Sequence, residues 1–322
     1  MLIETKGLKK TFKSRGKEVE AVRGVDLSVK EGEIFGLLGP NGAGKTTTMR
    51  MLSTLIEPTE GQATVCGHDL ARDSGGVRRD IGFVGQEGGT WGEVTARDEL
   101  VMQGRLYGMS KKQSAARAEV VLEAFQLSEF ADRLVKTYSG GQKRRLDIAL
   151  GVMHEPKLLF LDEPTTGLDP QSRAHMWDEV RGLRERGTAI FLTTHYLDEA
   201  DALCDRVAII DHGEIVAEGT PLELKKEVAG DVVLIGVTER FEEAKAVLGG
   251  KEFVRETEAG EPDPATGIAT VRLYVDDGAA ALPELLRALD AASLAPASIE
   301  LHRPSLDDVF LKQTGRSLRE EN

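Results

Sequence analysis

The sequence predicts an α/β fold built on a P-loop: a parallel sheet core, an antiparallel β edge and an inserted helical subdomain, followed by a small C-terminal α+β ferredoxin-like module. Three stretches carry the prediction. Gly39-Pro-Asn41-Gly42-Ala43-Gly44-Lys45-Thr46-Thr47 follows the apolar run Ile34 to Leu38 and opens a helical pattern; that is the strand, loop and helix N-terminus of a phosphate cradle. Leu158-Leu-Phe-Leu-Asp162-Glu163 reads as a buried parallel strand that ends in two carboxylates. Beyond about residue 225, runs of strand and helix type follow one another as β-α-β-β-α-β.

Length and composition bound the function. A chain of 322 residues suits one large and one small domain, here 1–225 and 226–322. With 40% apolar and 30% charged residues the composition is that of a soluble globular protein. A formal net charge of −13 disfavours a general nucleic-acid binder, so no nucleic acid is expected as a partner. Cys66 and Cys204 lie far apart with no CxxC spacing, which fits a reducing cytosol. The start lacks the layout of a signal peptide and no apolar run nears the ~20 residues that span a bilayer. A membrane role therefore has to come through a partner.

In chain order, residues 1–33 alternate strand-like runs with glycine turns, giving the antiparallel edge. Phe12 in this region reads equally as a core residue or as an aromatic face for an adenine. In the P-loop, Gly39, Gly42 and Gly44 let the backbone approach phosphates, Lys45 supplies a point charge, and the Thr46 hydroxyl is suited to Mg²⁺. The helix runs from Thr46 to Leu55, and strands follow at Gln62–Val65 and Ile81–Val84. Gln86 then stands at a strand's C-terminal end, where α/β folds bind ligands, although a lone Gln there is as readily a loop residue.

Residues 93–138 read as helices at Thr95–Leu106, Ser114–Phe125 and Glu129–Leu134, the core of a helical subdomain at about 93–150. Ser139-Gly140-Gly141-Gln142 opens another helix and offers a second anion site, best used to face a second nucleotide. At the apolar strand's end, Asp162 suits Mg²⁺ held through water, and Glu163 suits orienting or deprotonating a water. A helix follows from Pro170 to Arg186. His195 follows the apolar strand Ala189–Thr193; it is either structural or a contact to a γ-phosphate. Val207–Ile210 and Ile215–Glu218 form a hairpin. In the last module Gly260–Gly267 reads as a polar loop, and Ser305 as the cap of a final short helix.

Taken together, GPNGAGKTT (Walker A), Gln86 (Q-loop), Tyr138-Ser-Gly-Gly-Gln142 (signature), LLFLDE (Walker B), Gly167-Leu-Asp169 (D-loop) and His195 (H-loop) resemble the nucleotide-binding subunit of ABC transporters over residues 1 to about 225. The resemblance implies a P-loop ABC nucleotide-binding domain that hydrolyses ATP with Mg²⁺ at Thr46, Gln86 and Asp162. It implies Glu163 as the base, His195 as the γ-phosphate sensor and Phe12 stacked on adenine. It further implies a head-to-tail homodimer in which Ser139, Gly140 and Gly141 of one copy cap the phosphate held by Lys45 of the other. Gln142 would line the same site, and Asp169 would lie at the subunit contact. Integral membrane permease subunits are the expected partners, with the chain cytoplasmic and peripheral on the inner face of the membrane. The C-terminal Pro304-Ser-Leu-Asp-Asp-Val-Phe-Leu311 resembles daunorubicin-resistance-type exporters, and Arg97-Asp98-Glu99-Leu100 departs from their Asn-containing ending. The alternatives are a soluble ABC ATPase on ribosomes or DNA, for which neither duplicated cassette nor coiled-coil insertion is visible, and a small-molecule kinase, which a second phosphate-facing loop argues against.

Overall fold

The computed structural model describes residues 1–14, 17–228, 230–259, 268–302 and 304–315. The chain divides into two compact units between Pro221 and Leu222.

The first unit opens with β1 (Ile3–Ser14), β2 (Lys17–Val25), β3 (Ser28–Val29) and β4 (Ile34–Leu38), then α1 (Lys45–Leu52), β5 (Glu60–Val65), β6 (His68–Asp69), α2 (Ser74–Asp80) and β7 (Ile81–Val84). The helical segment holds α3 (Ala96–Leu106), α4 (Lys111–Ala124) and α5 (Gly140–Gly151). After it come β8 (Leu158–Asp162), α6 (Pro170–Glu185), β9 (Ala189–Thr194), α7 (Leu197–Leu203), β10 (Arg206–Asp211) and β11 (Glu214–Gly219).

Two sheets form. A six-stranded sheet in the order β11-β10-β4-β9-β8-β7 is parallel except for β11. Its inner strands β4, β8 and β9 are buried at every position, which is why they read as unbroken apolar runs rather than alternating ones. The second sheet is antiparallel, in the order β2-β1-β5-β6 with β3 beside β1. The antiparallel region is thus larger than the first 33 residues: it recruits β5 and β6 from beyond the P-loop helix. Phe35, Phe160 and Phe191, each fully buried, stack from adjacent strands in the core.

Local signals place the helix starts. Thr95 caps α3 by accepting the Asp98 amide, and Ser110 with Gln113 makes a capping box for α4. That box starts α4 earlier than the Ser114 read from periodicity. The helix expected over Glu129–Leu134 does not form; 3-10 turns at Ser128–Phe130 and Val135–Thr137 stand there instead. A span this short gains too few helical hydrogen bonds to offset the cost of nucleation. Helix α2 carried only a short signal around two glycines and its cap, Asp73.

The second unit contains α8 (Pro221–Val228, of which Pro221 belongs to the first), β12 (Asp231–Val237), α9 (Phe241–Gly249), β13 (Val254–Ala259), β14 (Ala269–Val275), α10 (Gly278–Ala291), β15 (Ser298–His302) and α11 (Leu306–Thr314). Its sheet has the order β13-β14-β12-β15, all antiparallel, the arrangement expected of a ferredoxin-like module. Val233, Ile235 and Val237 of β12 pack with Leu248 of α9 and Leu285 and Leu289 of α10 in an apolar core. Ser305 caps α11 in a capping box with Asp308. The loop read at Gly260–Gly267 lies outside the described residues. Among the described residues, no helix is long and apolar enough to cross a membrane.

Candidate functional site

Parallel strands deliver their C-terminal ends to one rim, and the sequence puts its polar residues there. β4 runs into the P-loop, β7 leads to Gln86, β8 ends at Asp162 before Glu163, and β9 ends at Thr194 before His195. The register sets Asp162 beside Thr193 and Leu38 beside Thr194, so four separate segments reach the same place.

The P-loop glycines have distinct reasons. Gly44, the residue before α1, has φ +107°, and a Cβ there would stand 2.5 Å from the Ala21 carbonyl. Gly39 has no room because a Cβ would run into the Ile210 carbonyl. Either substitution forces the loop away from its neighbours.

Lys45 is buried, its Nζ donating to the carbonyls of Gly39 at 2.7 Å and Pro40 at 2.9 Å and lying 3.5 Å from Glu163 Oε1. Burial pushes the Lys45 pKa down against the pull of the Glu163 and Asp162 charges. Glu163 is only 8% exposed. Its Oε2 accepts from Gln86 Nε2 at 3.2 Å and from Thr166 Oγ1 at 3.2 Å, with His195 Nδ1 3.3 Å away. Burial pushes this carboxyl up, but His195, Lys45 and Thr166 together hold it below its ordinary value. Glu163 also has φ +45°, a left-handed backbone that disfavours a residue with a side chain. Strain of this kind survives only where the surroundings fix it. Here the Glu163 amide donates to Thr193 Oγ1 at 3.1 Å, and its carbonyl accepts from Arg144.

Asp162 is the other anchor. Its Oδ1 accepts from Thr46 Oγ1 at 3.0 Å and from Thr193 Oγ1 at 2.6 Å. A hydroxyl and a carboxylate in contact are hard oxygen donors that suit Mg²⁺. Among the described residues no three of His, Cys, Asp or Glu gather into a metal cage.

The structure thus gathers Lys45, Thr46, Gln86, Asp162, Glu163 and His195. Phe12 is 43% exposed on β1, with Lys10 Nζ 5.3 Å from its ring centre, so the core reading of this residue is excluded. The signature is not gathered with the P-loop. Ser139 caps α5, accepting the Gln142 amide while Gln142 Oε1 accepts the Ser139 amide. Ser139 and Gly140 are exposed, and Gly141 borders Ser172 at the start of α6. Asp169, exposed, accepts from both the amide and the hydroxyl of Ser172 as the cap of α6.

Four contributors escaped the sequence reading. Thr193 bridges Asp162 and Glu163; a hydroxyl at the end of a buried strand was the available signal. Glu199, fully buried, accepts from Thr165 Oγ1 at 2.8 Å and Trp177 Nε1 at 3.1 Å and so pins the loop after Glu163. Arg144 and Asp147 are buried on α5. In the run Lys143-Arg144-Arg145 only helical spacing singles out Arg144, which shares a face with Ile148 and Gly151.

Residues 22–166 match the ABC transporter family, and residues 219–314 match "ATP-binding protein DrrA1-3-like, C-terminal domain". The daunorubicin/doxorubicin resistance ATP-binding protein DrrA of Streptomyces peucetius is 45% identical, over 97% of this chain and 92% of that one. The linearmycin resistance ATP-binding protein LnrL of Bacillus subtilis is 37% identical, over 99% of this chain and all of the other. Among solved structures, the dimeric post-hydrolysis state of the ATP-binding cassette MJ0796 with ADP and Pi aligns at a TM-score of 0.62 and 28% identity, over 68% of this chain and 98% of that chain. With the P-loop, the acidic strand end and the signature helix on one scaffold, the chain belongs to the ABC transporter family as an ATP-hydrolysing, ATP-binding protein of the DrrA type.

Proposed function

We propose that this chain is the motor of an exporter of hydrophobic drugs, antibiotics or lipids, working as a head-to-tail homodimer on separately encoded permease subunits. One observation carries the reading. The signature, with Ser139 and Gly140 exposed, faces the start of α6 rather than Lys45 of its own chain. Among the described residues no hydrogen bond joins the signature to the P-loop of its own chain, and a transition state that spreads negative charge over phosphate oxygens needs such donors. A second copy supplies Ser139, Gly140, Gly141 and Gln142 opposite Lys45, with Asp169 at the contact.

Within one copy, the loop amides of Asn41 to Thr47 cradle phosphates and Phe12 stacks on adenine. Lys45 offsets charge at the β- and γ-phosphates. Glu163, held ionised by its neighbours, orients the attacking water and accepts its proton, and His195 contacts the γ-phosphate. Thr46, Asp162 and Gln86 are the groups to hold Mg²⁺, whose charge neutralises phosphate oxygens when bound. The ATP-binding domain is assigned to 1–225, with its helical subdomain at about 93–150, and an accessory domain to 226–322.

Support for a permease partner comes from the helical segment. Met102 and Leu106 share a face of α3 one turn apart and are exposed, as is Trp91 before the helix. Docking there puts the chain on the cytoplasmic face of the membrane, and the resistance proteins named above make a drug-like cargo the reading of choice. The test is affinity capture of the Glu163→Gln chain with ATP and Mg²⁺ from detergent-solubilised native membranes. Recovery of a polytopic membrane protein is expected; ribosomes or DNA without one would overturn the transporter reading.

A further inference from the structure

Gln86 is flanked on both sides by segments that a single helix grips. Arg144, in the second turn of α5, is 8% exposed and makes no ion pair within salt-bridge distance among the described residues. Its guanidinium is satisfied instead by main-chain carbonyls: Nη1 donates to Gly85 at 2.7 Å, Nε to Pro164 at 2.9 Å, and Nη2 to Asp162 at 3.1 Å and Glu163 at 3.4 Å. Asp147 lies three residues on, also 8% exposed, and accepts the Gly89 amide at 2.9 Å. The approach is close enough to require glycine at Gly88: its φ is +74°, and a Cβ would stand 2.6 Å from the Asp147 carboxylate. Arg144 therefore holds the residue before Gln86, and Asp147 holds the turn after it. Glu99 of α3 extends the grip by accepting the Trp91 amide at 2.8 Å.

Buried charged groups are costly unless every polar atom finds a partner. A helix presenting two of them to one short loop is a strong constraint on where that loop can go. Because α5 begins at Gly140 with Ser139 as its cap, the same helix carries the signature at its N-terminus and the loop of Gln86 along its side.

We propose that Arg144 and Asp147 are positioning residues that hold Gln86 in register with Glu163 and make the Gln86 loop travel with the signature helix of the same chain. This rests on the reading of Gln86 as a site group. Engagement of one copy's signature by the other copy's nucleotide is then felt at the first copy's own Gln86.

The experiment is a double-mutant cycle on steady-state ATP hydrolysis by the full chain, with thermal unfolding measured in parallel. Asp147→Ala lowers kcat by about tenfold or more with KM for ATP little changed, as expected when a catalytic group is misplaced rather than removed. Asp147→Asn, which keeps a carbonyl to accept the Gly89 amide, restores most of kcat. In a Gln86→Ala background, Asp147→Ala adds no further loss, because the residue it positions is gone. If Asp147→Ala does not fold, Gly88→Ala perturbs the same grip from the exposed side and carries the same prediction. Full additivity with Gln86→Ala, or unchanged kcat in a variant that only melts lower, overturns the proposal alone. Unchanged kcat in Gln86→Ala itself overturns the reading of Gln86, and the proposal with it.

Discussion

The two units of this chain bury different things. Among the described residues the first buries fifteen polar or charged ones, from Glu33 to Asp211, and the second buries none. Its core is Val233, Ile235, Leu273, Leu285 and their neighbours, apolar throughout. Both solutions are stable, but burying an ion is unfavourable unless it is paired, whereas burying a leucine is favourable by itself. The difference teaches where the function lies. Lys45, Asp162, Glu163 and Thr193 are held where strands end and chemistry follows, and Arg144, Asp147, Glu99 and Glu199 hold the loops around them. Among its described residues the second unit keeps its ion pairs and caps, such as Arg240 with Glu243 and Ser305 with Asp308, outside the apolar core.

The comparison breaks most visibly at Glu163. Glu163→Gln is expected to lower kcat by about 10²–10⁴-fold while ATP still binds, the usual contribution of a positioned base. Wild-type turnover in steady-state assays would mean that the buried carboxylates of the first unit are structural, like the leucines of the second. The converse substitution is Leu285→Ala, at a fully buried core position of the second unit. It is expected to destabilise that unit by about 2–5 kcal/mol, seen as faster amide exchange in β12 and β14, with ATP binding unchanged. Weakened ATP binding in this variant would blur the division of labour.

A pH titration of stability sharpens the contrast. Burial drives the Glu99 carboxyl up to about 7, against the pull of the Trp91 amide and with help from the Asp147 charge. The folded state therefore holds a proton that the unfolded chain has released above about 4.5. The stabilisation is complete below that value and is lost as pH rises through about 7, at most about 3.5 kcal/mol at about 1.4 kcal/mol per pKa unit. Glu99→Gln should flatten this dependence in the first unit, and amide exchange in the second should show little of it. A Glu99→Gln chain with unchanged pH dependence would remove the assignment. The smallest effect is at Phe12. Phe12→Ala should raise KM for ATP by the equivalent of about 1–3 kcal/mol with little change in kcat, the range for a base stacked on an aromatic side chain. Unaltered KM would leave Phe12 as an exposed aromatic covered only by Lys10.

The same contrast explains what could be seen in the sequence. Groups that act through the backbone or stand at the end of an apolar run are visible, because they need a fixed spacing: Gly39 to Thr47, Asp162-Glu163 and the residues after β7 and β9. The ferredoxin-like order of the second unit is equally visible, since its strands and helices each bury one periodic face. Arg144 hid inside a basic run whose neighbours are more exposed, and Asp147 looked like any charged residue on a helix. Glu199 was invisible because its partners, Thr165 and Trp177, come from other segments. The 3-10 turns near Glu129 differ from the expected helix because so short a span offers too little pattern to separate the two.

The most direct test of the account is the mass of the Glu163→Gln chain by sedimentation equilibrium, with and without saturating ATP and Mg²⁺. The account predicts a monomer without nucleotide and twice that mass with it, with the shift abolished when Gly141→Asp puts a negative charge in the signature. A chain that binds ATP through Lys45 yet stays monomeric at saturation would contradict it, because the signature would then have no nucleotide to face.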